Sequence, residues 1–145
     1  PAVETLGSVS VICSDKAGTL TKTEMTAVRV VLQDLALEVR GSGYAPTGDF
    51  YLAKAPVTAT QLPALQALAH CAVLCNDAQL QEQADRQWLL HGDPTEGALL
   101  ALGLKTGLDL VALQTSHPRL DAIPFESEHR FMATLHATPE GERQI

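Results

Sequence analysis

Between Pro63 and Asn76 the apolar positions Leu65, Leu68, Ala69, Ala72 and Val73 recur at helical spacing, and Pro63 falls in the first turn, where no amide donor is needed. A helix with one apolar face has to bury it against another element. The sequence supplies β-rich segments on both sides. From Thr26 to about Arg40, Val28, Val30 and Val31 followed by Leu35, Leu37 and Val39 predict two strands around a Gln33-Asp34 hairpin turn. Residues 119 to 137 predict two more, Arg119 to Phe125 and Arg130 to Ala137, joined by the polar Glu126-Ser127-Glu128-His129. The expected fold class is therefore α+β, an antiparallel sheet flanked by helices.

A second helix is marked by its start. Asp93 can accept from the early helical amides, Pro94 takes the first helical position, and Glu96 stands where a capping box places its acid. This helix should run to about Thr106 and stop at Gly107. Gly41, Gly43, Pro46 and Gly48 mark a loop. Asn76 to Gln87 reads as a polar stretch, Trp88-Leu89-Leu90 as a short apolar element, and Leu108 to Pro118 as a connection.

At 145 residues there is room for one domain, or one domain with a piece of another. No apolar run approaches the roughly 18 residues of a membrane-spanning helix. With 17 acidic and 10 basic side chains the formal charge is -7, so no sequence-wide positive field exists to hold nucleic acid or an anionic bilayer. An anion would need a local site. The three cysteines, Cys13 in a strand-like run and Cys71 and Cys75 four apart in the first helix, read as buried thiols of a reducing compartment rather than a disulfide or metal site. The opening Pro-Ala-Val-Glu has no initiator Met, basic region or signal-like apolar stretch, as expected of a segment of a longer chain.

The chemistry begins after the apolar run Ser8-Val9-Ser10-Val11-Ile12-Cys13-Ser14, which predicts a strand buried in a parallel sheet. Asp15-Lys16-Ala17-Gly18-Thr19-Leu20-Thr21 follows it directly. A carboxylate at the carboxyl end of a parallel strand, entering a Gly-containing turn, is placed to attack a phosphoryl group while amides, Lys and Thr hold its oxygens. An ordinary polar turn after a strand would look the same.

The full run resembles the Asp-Lys-Thr-Gly-Thr-Leu-Thr phosphorylation motif of the P-type ATPases, with Ala17 in place of the first Thr. The likeness extends to Glu4-Thr5-Leu6-Gly7 before it and to Lys22, Glu24, Met25 and Thr26 after it. It implies that Asp15 takes the γ-phosphate of ATP as an aspartyl phosphate, with Lys16 and Thr19 beside it, and that Asp15 and the Ala17 carbonyl bind Mg²⁺ in the intact enzyme. Ala17 keeps the carbonyl and lacks the hydroxyl. A haloacid dehalogenase-like phosphatase is an alternative from the same superfamily, but its general acid would be an Asp at position 17, and Ala cannot move a proton.

His91-Gly92-Asp93-Pro94-Thr95-Glu96-Gly97-Ala98-Leu99 resembles the Gly-Asp-Pro-Thr-Glu-Gly-Ala-Leu stretch in the nucleotide-binding domain of calcium and sodium/potassium pumps. Ile123-Pro124-Phe125-Glu126-Ser127-Glu128-His129-Arg130-Phe131-Met132 is similar to the same family's Pro-Phe-x-Ser-x-x-Lys/Arg-x-Met segment. The resemblance implies that Phe125 stacks on adenine, that Arg130 approaches the nucleotide, and that Glu96, with Asp93 nearby, lies beside the adenine amino group. Without it, Glu96 could simply complete a capping box, Phe125 could be core, and Arg130 could be a solvated charge.

The implied division is residues 1–24 as one strand of a Rossmann-like phosphorylation domain with its hinge, and residues 25–145 as a nucleotide-binding domain incomplete at its C-terminal side. The implied cofactors are ATP and Mg²⁺. The implied partners are ATP or ADP and the remaining phosphorylation, actuator and transmembrane domains of the same polypeptide. The expected setting is the cytoplasmic side of a membrane that this soluble segment does not itself touch. A non-catalytic regulatory or interaction module with the same fold is the alternative from another class.

Overall fold

The computed structural model describes residues 10–11, 13–14 and 23–145. The first sheet has the order β1-β2-β3-β4, with β1 Arg29–Leu32, β2 Leu35–Val39, β3 Phe50–Leu52 and β4 Ala55–Val57, all neighbours antiparallel. Its register pairs Leu32 with Leu35 across the expected Gln33-Asp34 turn. Strand alternation puts Val30, Leu37, Val39 and Phe50 on the buried face and Arg29, Val31 and Glu38 outside. The glycine loop between β2 and β3 closes through the Arg40 amide on the Asp49 carbonyl, 3.0 Å. Gly48, at φ +138°, makes that closure possible, because a Cβ there would lie 1.9 Å from the Arg40 carbonyl oxygen.

The β3–β4 hairpin carries none of the usual signals. Its two-residue turn is Ala53-Lys54, both at positive φ (47° and 71°), a conformation normally assigned to Asn or Gly, and Pro56 sits in β4. Pro is tolerated because β4 is the last strand of the sheet.

A short 3-10 turn, Ala59–Gln61, leads into α1, Pro63–Leu74. Leu65, Ala69 and Val73 form a buried i, i+4 row that Leu74 widens at its end, while Leu68, on the face the sequence suggests, is exposed. Cys71 stands two residues from both Ala69 and Val73, about 200° around the helix at 3.6 residues per turn. It is accordingly exposed, Cys75 is half-buried and Cys13 is exposed. The expectation of buried thiols is thus corrected for all three cysteines, which are free.

The polar stretch after α1 forms an antiparallel hairpin, β5 Gln79–Glu82 and β6 Trp88–His91, in which Leu80 faces Leu90. Both pack against the core cluster of Val73, Leu74, Ala78, Leu100 and Leu113. Helix α2 spans Pro94–Lys105 with Asp93 as its N-cap, as expected. The expected connection 108–118 instead contains a helix, α3 Leu110–Ser116, started by Asp109, whose carboxylate accepts from the Ala112 amide at 3.0 Å. Its one buried side chain, Leu113, gives too little apolar period to show in the sequence.

The third sheet is β7 Arg119–Ile123, β8 Ala133–Ala137 and β9 Arg143–Gln144. The first strand ends two residues earlier and the second begins three residues later than expected, so Phe125 and Arg130 both fall in the loop between β7 and β8. Three separate antiparallel sheets therefore stand where a single one is expected. Of the anticipated strand 8–14, the described residues Ser10, Val11, Cys13 and Ser14 are not in a strand, and Val11 is 74% exposed. An apolar run of this kind is buried only between neighbouring strands, and none of the described sheets pairs with it.

Candidate functional site

The start of α2 is the best-defined part of the site. Asp93 keeps extended backbone (φ -73°, ψ 137°) and its Oδ1 accepts from the amides of Thr95, 2.7 Å, and Glu96, 3.4 Å. These bonds, first those from Thr95 and then that from the Glu96 amide, hold its carboxyl below the ordinary value of 3.8. A depressed folded-state pKa gives stability that is present above the unfolded value and lost as pH falls through the folded one. Asp93→Ala is therefore expected to melt at lower temperature than the parent at pH 7, with the two curves converging as pH drops below 3.8. A melting difference that persists unchanged in acid would show that the carboxylate is not the capping group.

Glu96 departs from the expected capping box. Its Oε1 accepts from the Asp77 amide, 3.2 Å away, instead of turning back to Asp93. Its backbone carbonyl accepts from Asn76 Nδ2 at 2.9 Å. Asn76 is buried and fully used: Nδ2 also donates to the Ala72 carbonyl, 3.2 Å, and Oδ1 accepts from the Ala78 amide, 2.9 Å. Asp77 in turn pairs with Arg119 at the head of β7. The turn 75–77 thus binds the end of α1, the first turn of α2 and the start of β7 together. Glu96 Oε2 is left without a protein donor among the described residues.

Phe125 and Arg130 lie on the 124–132 loop. Phe125 is 61% exposed. The Glu126 carbonyl accepts from the amides of His129, 3.0 Å, and Arg130, 2.7 Å, which folds the loop into a turn with Arg130 at φ +57°. Cys75 Sγ reaches the Met132 carbonyl at 3.9 Å, so the far end of this loop is anchored to the same turn that holds Glu96. The structure joins Asp93 and Glu96 in the first turn of α2 and puts Phe125 and Arg130 on one loop. No hydrogen bond or ion pair joins one pair to the other among the described residues.

A cleft of about 490 Å³ opens beside Asp77 and Arg119, with His117 and His136 among its lining residues, but none of Asp93, Glu96, Phe125 and Arg130 lines it. Asp15, Lys16, Ala17 and Thr19 lie outside the described residues. Among the described residues no three His, Cys, Asp or Glu side chains come together as metal ligands. The residues that sequence reasoning misses are Asn76, Asp77 and Arg119. An Asn two residues beyond the last helical residue signals only a helix stop, and an Arg opening a strand signals nothing.

A family model described as P-type ATPase, cytoplasmic domain N, matches residues 64–145, more than half of the chain. The chain belongs to this family. Among its relatives, the cation-transporting ATPase pma1 of Synechocystis sp. is 46% identical over 141 residues, covering 94% of this chain and 16% of that protein. The calcium-transporting ATPase of Bacillus subtilis is 36% identical over 145 residues, covering 100% of this chain and 16% of the relative. The calcium-transporting ATPase type 2C member 1 of Bos taurus is 41% identical over 148 residues, covering 100% and 15%. The chain thus spans about one-sixth of the length of the curated relatives it matches. Within this P-type ATPase domain N, the matched region takes in Asp93, Glu96, Phe125 and Arg130 together with Asn76, Asp77 and Arg119. No helix among the described residues is long and apolar enough to cross a membrane.

Proposed function

We propose that this chain is the nucleotide-binding portion of a cation-transporting P-type ATPase. The observation that carries the proposal is Glu96, whose carboxylate is fixed at one oxygen by the Asp77 amide and has no donor at the other among the described residues, within the matched segment. Glu96 Oε2 accepts from the adenine amino group, Asp93 fixes the first turn that presents it, Phe125 stacks on the base, and Arg130 meets phosphate oxygens in a forked geometry. Residues 25–145 form this binding unit. Residues 1–24 belong to the phosphorylation domain, where Asp15, assisted by Lys16 and Thr19, attacks the γ-phosphorus as the bond to ADP breaks. Asp15 and the Ala17 carbonyl would hold Mg²⁺, which neutralises charge on the phosphate oxygens. The intact pump couples this transfer to cation movement, with this portion on the cytoplasmic side and its actuator, phosphorylation and transmembrane domains as partners.

One side of an open surface supplies only part of a full site's affinity, so binding is weak and dominated by the base. Titration with ATP, ADP and AMP should shift the NMR signals around Phe125 and Glu96 alike for all three. Arg130→Ala should weaken ATP roughly tenfold, the worth of a charge-assisted hydrogen bond, and adenosine hardly at all. Absence of shifts near Phe125 and Glu96 would refute the proposal, and equal loss for ATP and adenosine would place Arg130 in packing.

This chain by itself is expected to form no acid-stable, hydroxylamine-sensitive phosphoenzyme with γ-labelled ATP, and Ala17→Thr should not restore one. Phosphoryl transfer depends on holding nucleophile, metal and γ-phosphate in line, a demand that the short run 15–19 does not meet by itself. Labelling that disappears in Asp15→Asn would contradict this.

A further inference from the structure

We infer that Arg119 is a positioning residue for base selection, acting on Glu96 through the Asn76–Asp77 peptide. The inference rests on the reading of Glu96 as the adenine contact. Arg119 Nη2 donates to the carbonyls of Asn76, 2.8 Å, and Leu74, 3.2 Å, while Nη1 pairs with the Asp77 carboxylate. The Leu74 carbonyl belongs to the last residue of α1, where carbonyls lack intrahelical donors and a cation is favoured. The Asn76 carbonyl and the Asp77 amide belong to one planar trans peptide, so they point in opposite directions. Holding the carbonyl on Arg119 therefore aims the N–H away from the guanidinium, toward Glu96 Oε1 at 3.2 Å.

The result is a relay of fixed geometry: guanidinium, peptide, carboxylate. The cation polarises the peptide and strengthens its N–H as a donor. Asn76 fixes the other side of the same hinge, since its side chain bonds both α1 and the Glu96 carbonyl. With Oε1 pinned, Oε2 presents a lone pair in one direction. A carboxylate so held accepts from the 6-amino group of adenine and opposes the 6-oxygen of hypoxanthine, so selectivity arises from attraction and repulsion together. Without Arg119 the peptide can turn, the carboxylate loses its fixed donor, and selectivity falls while stacking on Phe125 persists.

The test is the ratio of AMP to IMP affinity in this chain, with the Asp77 amide proton as a local reporter. Arg119→Ala should lower the ratio about threefold to tenfold, the loss expected when a hydrogen bond to a charged group is loosened, and should move the Asp77 amide signal upfield. Arg119→Lys, which can hold one carbonyl but cannot fork, should recover part of both. Arg119→Gln removes the guanidinium fork while keeping much of the side-chain stem, and gives the same comparison should Arg119→Ala not fold. In a cycle with Glu96→Ala, the double variant should lose no more selectivity than Glu96→Ala alone. An unchanged ratio, or losses that add, would overturn the role of Arg119 while leaving Glu96 as the base contact. An unchanged ratio in Glu96→Ala itself would overturn the reading of Glu96, and the inference with it.

Discussion

Phe125→Ala is expected to abolish the response to ATP, ADP and AMP alike while leaving the melting temperature nearly unchanged. Of the three Phe residues, Phe50 is buried in the first core and packs with Val30, Leu37 and Val39. Phe125 belongs to neither core cluster. It is 61% exposed, on a loop whose turn is held by backbone bonds to Glu126. Truncating such a side chain removes little packing, and surface changes of this kind stay within about 0.5 kcal/mol. Base–aromatic stacking, by contrast, is worth about 1–3 kcal/mol per base. For a weak, base-dominated site that loss is roughly tenfold to a hundredfold in affinity, enough to take binding out of measurable range. The check is a pair of measurements, nucleotide-induced NMR shifts at Glu96 and thermal unfolding by circular dichroism. Shifts at Glu96 that survive in the variant would place the adenine elsewhere. A large fall in melting temperature would make Phe125 a packing residue.

How much of this was legible in the sequence depends on whether the signal was local. Asp93-Pro94 announces α2 because capping is a contact between neighbours, and the Asp93 carboxylate does accept from Thr95 and Glu96. The Glu96 carboxylate also looked local, yet it bonds to Asp77, nineteen residues away. Spacing within a helix cannot foresee an amide delivered by another turn. The same reason hides Arg119, whose partners Leu74, Asn76 and Asp77 come from the end of α1 and the turn beyond it. Strand β5, Gln-Leu-Gln-Glu, was illegible because it exists through its ladder with β6 and buries little of its own. The β3–β4 hairpin was illegible because Ala53 and Lys54 adopt positive φ without the residues that favour it. Motif resemblance points to Asp93, Glu96, Phe125 and Arg130, but only the fold shows that Glu96 and the Met132 end of the loop carrying Phe125 and Arg130 both meet the 75–77 turn.

Gly103→Ala is expected to destabilise the fold by about 2 kcal/mol, against the usual direction for a helical glycine. In an exposed helix interior the same change stabilises by roughly 0.8–1 kcal/mol. Here a Cβ would lie 2.4 Å from Val73 Cγ2, far inside the 3.5–4.0 Å of a normal carbon contact. Val73 is 1% exposed and is packed in the cluster with Leu74, Leu100 and Leu113, and a β-branched side chain in a helix has essentially one rotamer to offer. The overlap therefore has to be relieved by separating α1 from α2; overpacking costs about 1–3 kcal/mol, and its upper end, less the propensity gain of about 1 kcal/mol, leaves about 2. Separation would also stretch the Asn76–Glu96 bond, which joins the end of α1 to the first turn of α2, and so weaken nucleotide binding in parallel with stability. A loss of about 2 kcal/mol should appear as a fall of roughly 5–10 °C in melting temperature for a chain of this size. Combining the change with Val73→Ala removes the obstructing methyl, so the double variant should be more stable than the sum of the two single losses, with coupling of about 1–2 kcal/mol. A Gly103→Ala variant as stable as the parent, or a double variant that simply adds the two losses, would mean that the helices yield at this crossing and that their close approach does not set the position of Glu96.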